Sequence, residues 1–537
     1  MIDLALSSSP ASLDEQIKHH GLQYSDGNVL CWPEDDLDHP RNWSHWRKAF
    51  DSAVIISLDF VTFPPAVQMR PKTDETRRLP PGLDGLNLGL AKYSPFLHIL
   101  LCKLISSYTL TYIAKPRRYL FGQGIGSVFF LPISEAFGRK RLYVISMFLY
   151  VGFSVVVGEA PNIAAVTVGR FFCGLLSSIP TIIVAGSVED MYGPEARVWM
   201  IFAWGAAANI GLAIGLIYST YITEGLGWRW VFRITAIGTS IQALLTIFIK
   251  ESRPSQILKK RLVRLNKASE EQFTIDNPDH IPSWQEFITD ALSRPTRLFF
   301  TEPIVFLVTI MASVAFGQIY LLTEALPAIY MQAPLSFNLE HASLAFLPIA
   351  IGLGLDVLPR FYDHYLLKRI KARSDVIKPE HKIHAFALGA PLLAIGLWWF
   401  AWTIPPSVPA PWPVSFLPLI LVGFATNEFD CTLGGYLTDS YTVFSASAYA
   451  SLAFLRAIVS GVLPLFTNQM YVTLGANKAT TILAVLATLF CVAPVLFLKY
   501  GERLREKSAF ARYSREAEKR WGVWGSREGR VLLVGRQ

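Results

Sequence analysis

The chain has 537 residues, of which 52% are hydrophobic and only 17% charged, and its mean hydropathy is +0.35. Soluble domains carry charge on about a quarter of their residues, so a soluble architecture is excluded. The net charge of +8 lies in short loops between apolar blocks rather than as a stripe on a polar domain, which excludes a nucleic-acid-binding surface and leaves a polytopic membrane protein.

The apolar blocks run to about twenty residues, enough to cross a hydrocarbon core as helix. Residues 1–47 form a polar tail ("WPEDDLDHPRNW") without a basic-then-apolar leader pattern. Its sequon Asn42-Trp43-Ser44 is expected to face the cytoplasm and stay unused. Spans are predicted at 50–66, 119–138, 142–160, 163–188, 197–222 and 228–250, an N-terminal six-helix bundle over 48–250. A polar loop follows at 251–300. Spans at 303–330, 341–362, 383–404, 412–436, 443–470 and 477–499 make a second bundle over 301–500, before a basic tail at 501–537. Trp228, Trp230 and Trp412 fall at predicted membrane edges, as an aromatic belt would.

One stretch breaks the pattern. The first span opens as "AVIISLDFVTF" and then runs into "PPAVQMRPKTDETRRLPPGLDGLNLG", which no lipid core accommodates. The irregular insertion covers about 64–118. It reads as a retained intron or misjoined exon, with a genuine outer-loop insertion as the other reading.

Bases concentrate in alternate loops: "GRKR" (138–141), "KESRPSQILKKRLVRLNK" (250–267), "LLKRIKAR" (366–373) and the tail after "KYGERLREK". The loops between them are nearly free of bases, which predicts both termini and the middle loop in the cytoplasm. Within that loop, Trp284, Phe287, Ile288, Ala291 and Leu292 have helical spacing and predict a short amphipathic helix, on the inner membrane surface or on the bundle floor. The five cysteines have no metal-like spacing and read as small hydrophobes without a disulfide framework.

The two halves share a pattern. "GSVEDMY" ends the fourth span and "GYLTDSY" ends the tenth, both Gly-x-x-x-Asp-x-Tyr. Pro132 and Glu135 before "GRKR" correspond loosely to Pro359 and Asp363 before "KRIKAR". Two matches in register argue for halves related by an axis along the membrane normal. The knot "FFLPISEAFGRKRLY" suits a conformational latch, in which Glu135 pairs with Arg139 across the Gly138 turn or faces a neighbouring helix N-terminus, with Arg141 beside it. A plain positive-inside loop is the alternative.

With that knot, "DHPRNWSHWRKAF", "GRFFCGLLSS", "GWRWVFRI", "RLFFTEPIV", "YLLTEALP" and "YLTDSYTVFSASAYAS", the chain resembles the major facilitator superfamily, and within it the fungal twelve-span drug:proton antiporter branch. The resemblance covers about 38–60 and 119–508. It implies an all-α membrane fold of two pseudo-symmetric six-helix bundles, with the first span disrupted by the insertion. It also implies that Asp190 with Arg197, and Asp439, join Glu135 in an inner-face charge network.

Charge inside a span marks a functional candidate. Arg170 lies two turns into the fourth span and looks like the family's span-4 arginine, linked there to proton coupling; a structural arginine between helices is the alternative. Glu324 in the seventh span and Asn427, Glu428 and Asp430 in the tenth are candidates for binding a cation or carrying a proton, as is Asp59 in the first. In the fifth span Gly211 and Gly215 allow close packing, but the Gly-Pro pairs and closing Gly-Gly of the antiporter signature are missing.

The expected function is proton-coupled secondary transport, with export of drugs or fungal secondary metabolites favoured. Uptake of a nutrient or polyamine, or a non-transporting sensor or inactive relative, are the alternatives. No cofactor, metal or catalytic residue is expected; the proton gradient would supply the energy. The expected partners are a small-molecule substrate and the lipid bilayer, with the chain a monomer in the plasma membrane.

Overall fold

The computed structural model describes residues 23–25, 29–31, 36–62, 117–268, 273–276, 293–373, 378–405, 411–516 and 530–533. The charged block after Thr62, the segment 93–113 and the helix expected around 284–292 lie outside them. In the N-terminal half, α1 (His45–Thr62), α2 (Arg117–Phe137), α3 (Arg139–Glu159), α4 (Ile163–Met191), α5 (Pro194–Leu226) and α6 (Trp228–Phe248) are the six spans. The central loop holds α7 (Pro254–Ala268) and α8 (Arg294–Thr301).

In the second half, α9 (Pro303–Tyr330) is the seventh span. The eighth is broken into α10 (Leu339–Ser343), α11 (Phe346–Leu355) and α12 (Val357–Arg373). Then come α13 (Phe386–Thr403), α14 (Trp412–Ser440) and α15 (Ser445–Leu474), and the twelfth span is α16 (Ala476–Phe490) continued by α17 (Val492–Lys507). Ten helical segments among the described residues are long and apolar enough to cross a membrane.

Local chemistry sets the ends. Asn162 accepts a hydrogen bond from the Ala165 amide at 2.8 Å and so starts α4 at Ile163. Pro at the first turn opens α5 and α9. Gly227 and Gly475, with φ of 89° and 81°, make the same abrupt turn between spans five and six and between eleven and twelve. The repeat therefore extends to its turns.

Close packing repeats as well. The α2–α4 crossing is so tight that a Cβ at Gly174 would lie 1.9 Å from the Tyr119 carbonyl oxygen. At the α11–α14 crossing, a Cβ at Gly352 would lie 2.0 Å from the Ile420 carbonyl oxygen. The halves meet where α2 packs on α15 and α5 packs on α11 and α12, pairs that a two-fold exchange of the halves interconverts. The fold is the all-α arrangement expected.

A small feature was not foreseen in the sequence. Strands β1 (Gln23–Ser25), β2 (Val29–Cys31), β3 (Phe273–Asp276) and β4 (Arg530–Leu533) form one antiparallel sheet, in the order β1-β2-β4-β3. It joins the N-terminal tail, central loop and C-terminal tail.

Candidate functional site: a charged seam between the halves

The latch includes Glu251, an acid the sequence did not point to. Gly138 turns at φ 92°, and a Cβ there would meet Glu251 Oε2 at 2.7 Å. The Glu251 carboxylate accepts hydrogen bonds from the Arg139 and Lys140 amides at 3.0 and 3.1 Å, so it caps the positive N-terminus of α3. The Arg139 guanidinium bridges Asp190 at 3.1 Å and lies over Gly186, where a Cβ would approach it to 2.6 Å. Among the described residues, the acids of the knot are Glu251 and Asp190, and Asp190 holds the Arg139 guanidinium. The Glu135 side chain lies outside the described residues. Arg141 is exposed beside the knot.

Arg197 on α5 does not pair with Asp190. It bridges Glu189 at 2.5 Å in its own half and Asp439 at 2.6 Å in the other. Lys382 binds the second Asp439 oxygen at 2.5 Å. Burial pulls the Lys382 ammonium below its usual range, while Asp439 opposes that pull. Lys382 is thus a base that pairs with the second-half aspartate. Trp199 packs edge-on against Phe361 nearby, with ring centroids 4.9 Å apart. The face carrying the basic loops is closed between the halves.

Deeper in, α12 and α14 share a buried polar cluster. Arg360 binds Glu428 and, at 3.0 Å, Asp363. Asp356 lies within electrostatic range and accepts a hydrogen bond from Asn427 at 2.8 Å. Thr432 donates to Glu428, and Asn209 of the first half donates to Asn427 at 3.1 Å. Asp356, Arg360, Asp363 and Glu428 are each at most 4% exposed. One guanidinium stands among three carboxylates.

A second charged group borders a small cavity, of about 10 Å³, between α2, α4, α9 and α15. Gln123, Ser127, Ser178, Thr181, Phe316 and Arg456 supply its polar and aromatic lining. Arg456 binds Asp430 and sits 4.7 Å over the Phe316 ring. Thr181 donates to Asp59 at 3.0 Å, and the Trp204 indole donates to it at 2.5 Å. Asp59 is fully buried, and Arg456 and Asp430 lie within its electrostatic range.

The remaining candidates sit apart from this seam. Arg170 is buried inside the first half, 5.1 Å over the Phe232 ring and near Tyr150 and Tyr119. Glu324 is half-buried on α9 and borders neither this cavity nor the one described below. A Cβ at Gly211 would meet the Phe60 carbonyl oxygen at 2.9 Å, so this glycine lets α5 approach α1; Gly215 is buried on the same helix.

The sequence reading missed Asp356, Arg360, Asn209 and Arg456, and it placed Asp363 just beyond the eighth span. A signal was present: 356, 360 and 363 are spaced i, i+4, i+7, one helix face carrying three charges.

Two six-helix halves meeting at a charged, membrane-buried seam define a secondary-transporter architecture. The family model for the Major Facilitator Superfamily matches residues 106–498, and the chain belongs to that superfamily and to its fungal drug-transporter branch. It is 32% identical over 397 residues to "Efflux pump FUB11" of Gibberella moniliformis, covering 73% of this chain and 66% of that one. It is 28% identical over 509 residues to "MFS-type transporter penM" of Penicillium rubens, covering 94% of each. To "Major facilitator superfamily multidrug transporter mdrA" of Aspergillus fumigatus it is 31% identical over 73% of this chain and 65% of the relative. The chain thus spans just under two-thirds of the length of FUB11 and mdrA. Among solved structures, the human organic anion transporter MFSD10 (TETRAN) superposes with a TM-score of 0.54 at 16% identity, over 84% of this chain and 99% of that one, a likeness of fold.

Proposed function

We propose that the chain is a proton-coupled exporter of small organic molecules that works by alternating access. The observation that carries this reading is the excess of acids over bases in the buried cluster: Asp356, Asp363 and Glu428 around Arg360. Uncompensated charge in such a place costs several kcal/mol. The excess is offset when a proton or a cationic substrate group occupies the cluster, and exclusion of one by the other is what an antiporter needs. The efflux-pump relatives supply the direction. The basic loops support a cytoplasmic assignment for the face closed by Arg197 and Asp439, with the chain a monomer in the plasma membrane.

The test uses ethidium as probe in a yeast strain lacking its own efflux pumps. Cells expressing the chain retain less dye, a protonophore abolishes the difference, and Glu428→Gln abolishes it without loss of protein from the membrane. Greater retention on expression would favour uptake of a cation, which the same acid excess suits. No change in retention would leave a non-transporting relative.

A further inference from the structure

The basic face holds a second chamber, of about 50 Å³, between α5, α12 and α14. Arg197, Lys382 and Asp439 stand at its outer side, and Arg360, Asp363 and Thr432 at its inner side. The chamber thus reaches from the closed gate to the buried cluster. Asp363 and Arg360 line the chamber, and their Oδ1 and Nε atoms are buried without a hydrogen-bond partner. Such groups in a tightly packed interior call for a partner, and a chamber of about 50 Å³ beside them exceeds the about 10–15 Å³ that one water needs.

The two halves pack differently at the equivalent point of the repeat. Gly186 and Gly435 occupy the same position in the two Gly-x-x-x-Asp-x-Tyr segments. At Gly186 the Arg139 guanidinium fills the room a side chain would take. At Gly435 a Cβ would meet nothing within 4 Å, and Gly435 lines the chamber. Its equivalent base, Lys382, is drawn aside to Asp439, which also holds Arg197 across the seam.

We propose that this chamber is a proton-exchange vestibule, through which Asp363 trades protons with the solution on the basic face while the Arg197–Asp439 bridge keeps the halves closed to substrate. A hydronium ion in the vestibule gives its proton to Asp363 Oδ1 and leaves as water. Asp363 Oδ2 remains on Arg360, 3.0 Å away. Thr432 lines the chamber and donates to Glu428, so its hydroxyl passes a proton to Glu428 as it accepts one from a hydronium ion, which leaves as water. The charged and titratable groups around Asp363 are Arg360 on its own helix, Glu428, Cys431, Tyr436 and Asp439 on α14, Arg197 on α5, and Lys382. The inference rests on the proton-coupled reading above and adds the route and the side.

The experiment compares wild type, Asp363→Asn, Asp363→Glu and Gly435→Leu in proteoliposomes, with ethidium as probe and pyranine inside to report pH. Two assays are run: transport driven by an imposed pH gradient, and ethidium exchange at equal pH, which needs no net proton movement. Asp363→Asn is expected to lose at least about tenfold in driven transport and in the pyranine response, with Asp363→Glu restoring coupling. Gly435→Leu fills the vestibule, leaves every acid in place, and is expected to slow driven transport by a similar factor while keeping ethidium exchange within about twofold. Wild-type protein without driven ethidium transport overturns the functional reading itself. If wild type is driven and Asp363→Asn and Gly435→Leu are driven equally well, the vestibule is refuted. Loss of exchange along with driven transport in Gly435→Leu also refutes it, since the chamber would then serve substrate passage.

Discussion

Arg360 is the single base among three buried acids, so its removal is the sharpest test of the cluster. At 3.0 Å from Asp363, the Coulomb attraction is about 5 kcal/mol at an effective dielectric near 20. Much of that gain is offset by the desolvation of both ions, and breaking one buried pair from one side costs ~3–5 kcal/mol. Arg360→Met keeps the length of the side chain and removes the charge. It is expected to lower stability in SDS-unfolding titrations by ~3–5 kcal/mol. Adding Glu428→Gln removes one of the stranded carboxylates, so the double variant should recover ~2 kcal/mol relative to the sum of the two single effects. If Arg360→Met lies within ~0.5 kcal/mol of wild type, or the two effects simply add, Arg360 does not hold the cluster together.

Three further outcomes follow from other parts of the molecule. Arg197→Gln removes the bridge to Asp439 and should raise alkylation of Cys431, which lines the vestibule, on the order of tenfold in a background with the other cysteines changed to serine, equivalent to about 1.4 kcal/mol of closure; an unchanged rate would show that the bridge does not hold the face shut. Gly186→Ala must push against the Arg139 guanidinium and should cost ~1–3 kcal/mol, whereas Gly435→Ala enters open space and should be neutral within ~0.5 kcal/mol; equal costs would contradict the asymmetry between the halves. In the N-terminal strap, Arg261 binds Asp36 at 2.5 Å and Asp38 at 2.7 Å. Burial raises the Asp36 pKa, but hydrogen bonds from Arg261 and the Asp38 amide outweigh it, so Asp36 lies below its ordinary 3.8. A depressed folded value means that the stabilisation is complete above 3.8 and is lost as pH falls through the lower folded value. Amide exchange over 36–43 should therefore be slow at pH 7 in wild type and fast in Arg261→Gln, and slow exchange in both would show that the clasp does not order the strap.

The spans were legible because a bilayer demands long apolar helices, and the ends were legible where a cap or proline marks them, as at Ile163 and Pro303. The eighth span misled because its predicted end at 362 left Asp363 in the loop and its inner charges Asp356 and Arg360 were passed over, whereas packing against α14 pairs all three. Glu251 and Asp190, 112 and 51 positions from Arg139, could not be assigned by spacing, since sequence order says nothing of which helix ends meet. The strand partners Phe273 and Leu533 pair across the whole second half for the same reason. Glu428 is buried and Asp430 partly so inside the tenth span, and their bases, Arg360 and Arg456, belong to other helices.

The central claim is that proton binding in the Glu428 cluster drives export. Ethidium transport in proteoliposomes, measured with and without an imposed pH gradient, tests it most directly. The account predicts that wild type moves ethidium uphill only with the gradient, and that Glu428→Gln does not at any gradient. Uphill movement by Glu428→Gln equal to wild type, or wild-type transport indifferent to the gradient, would contradict it.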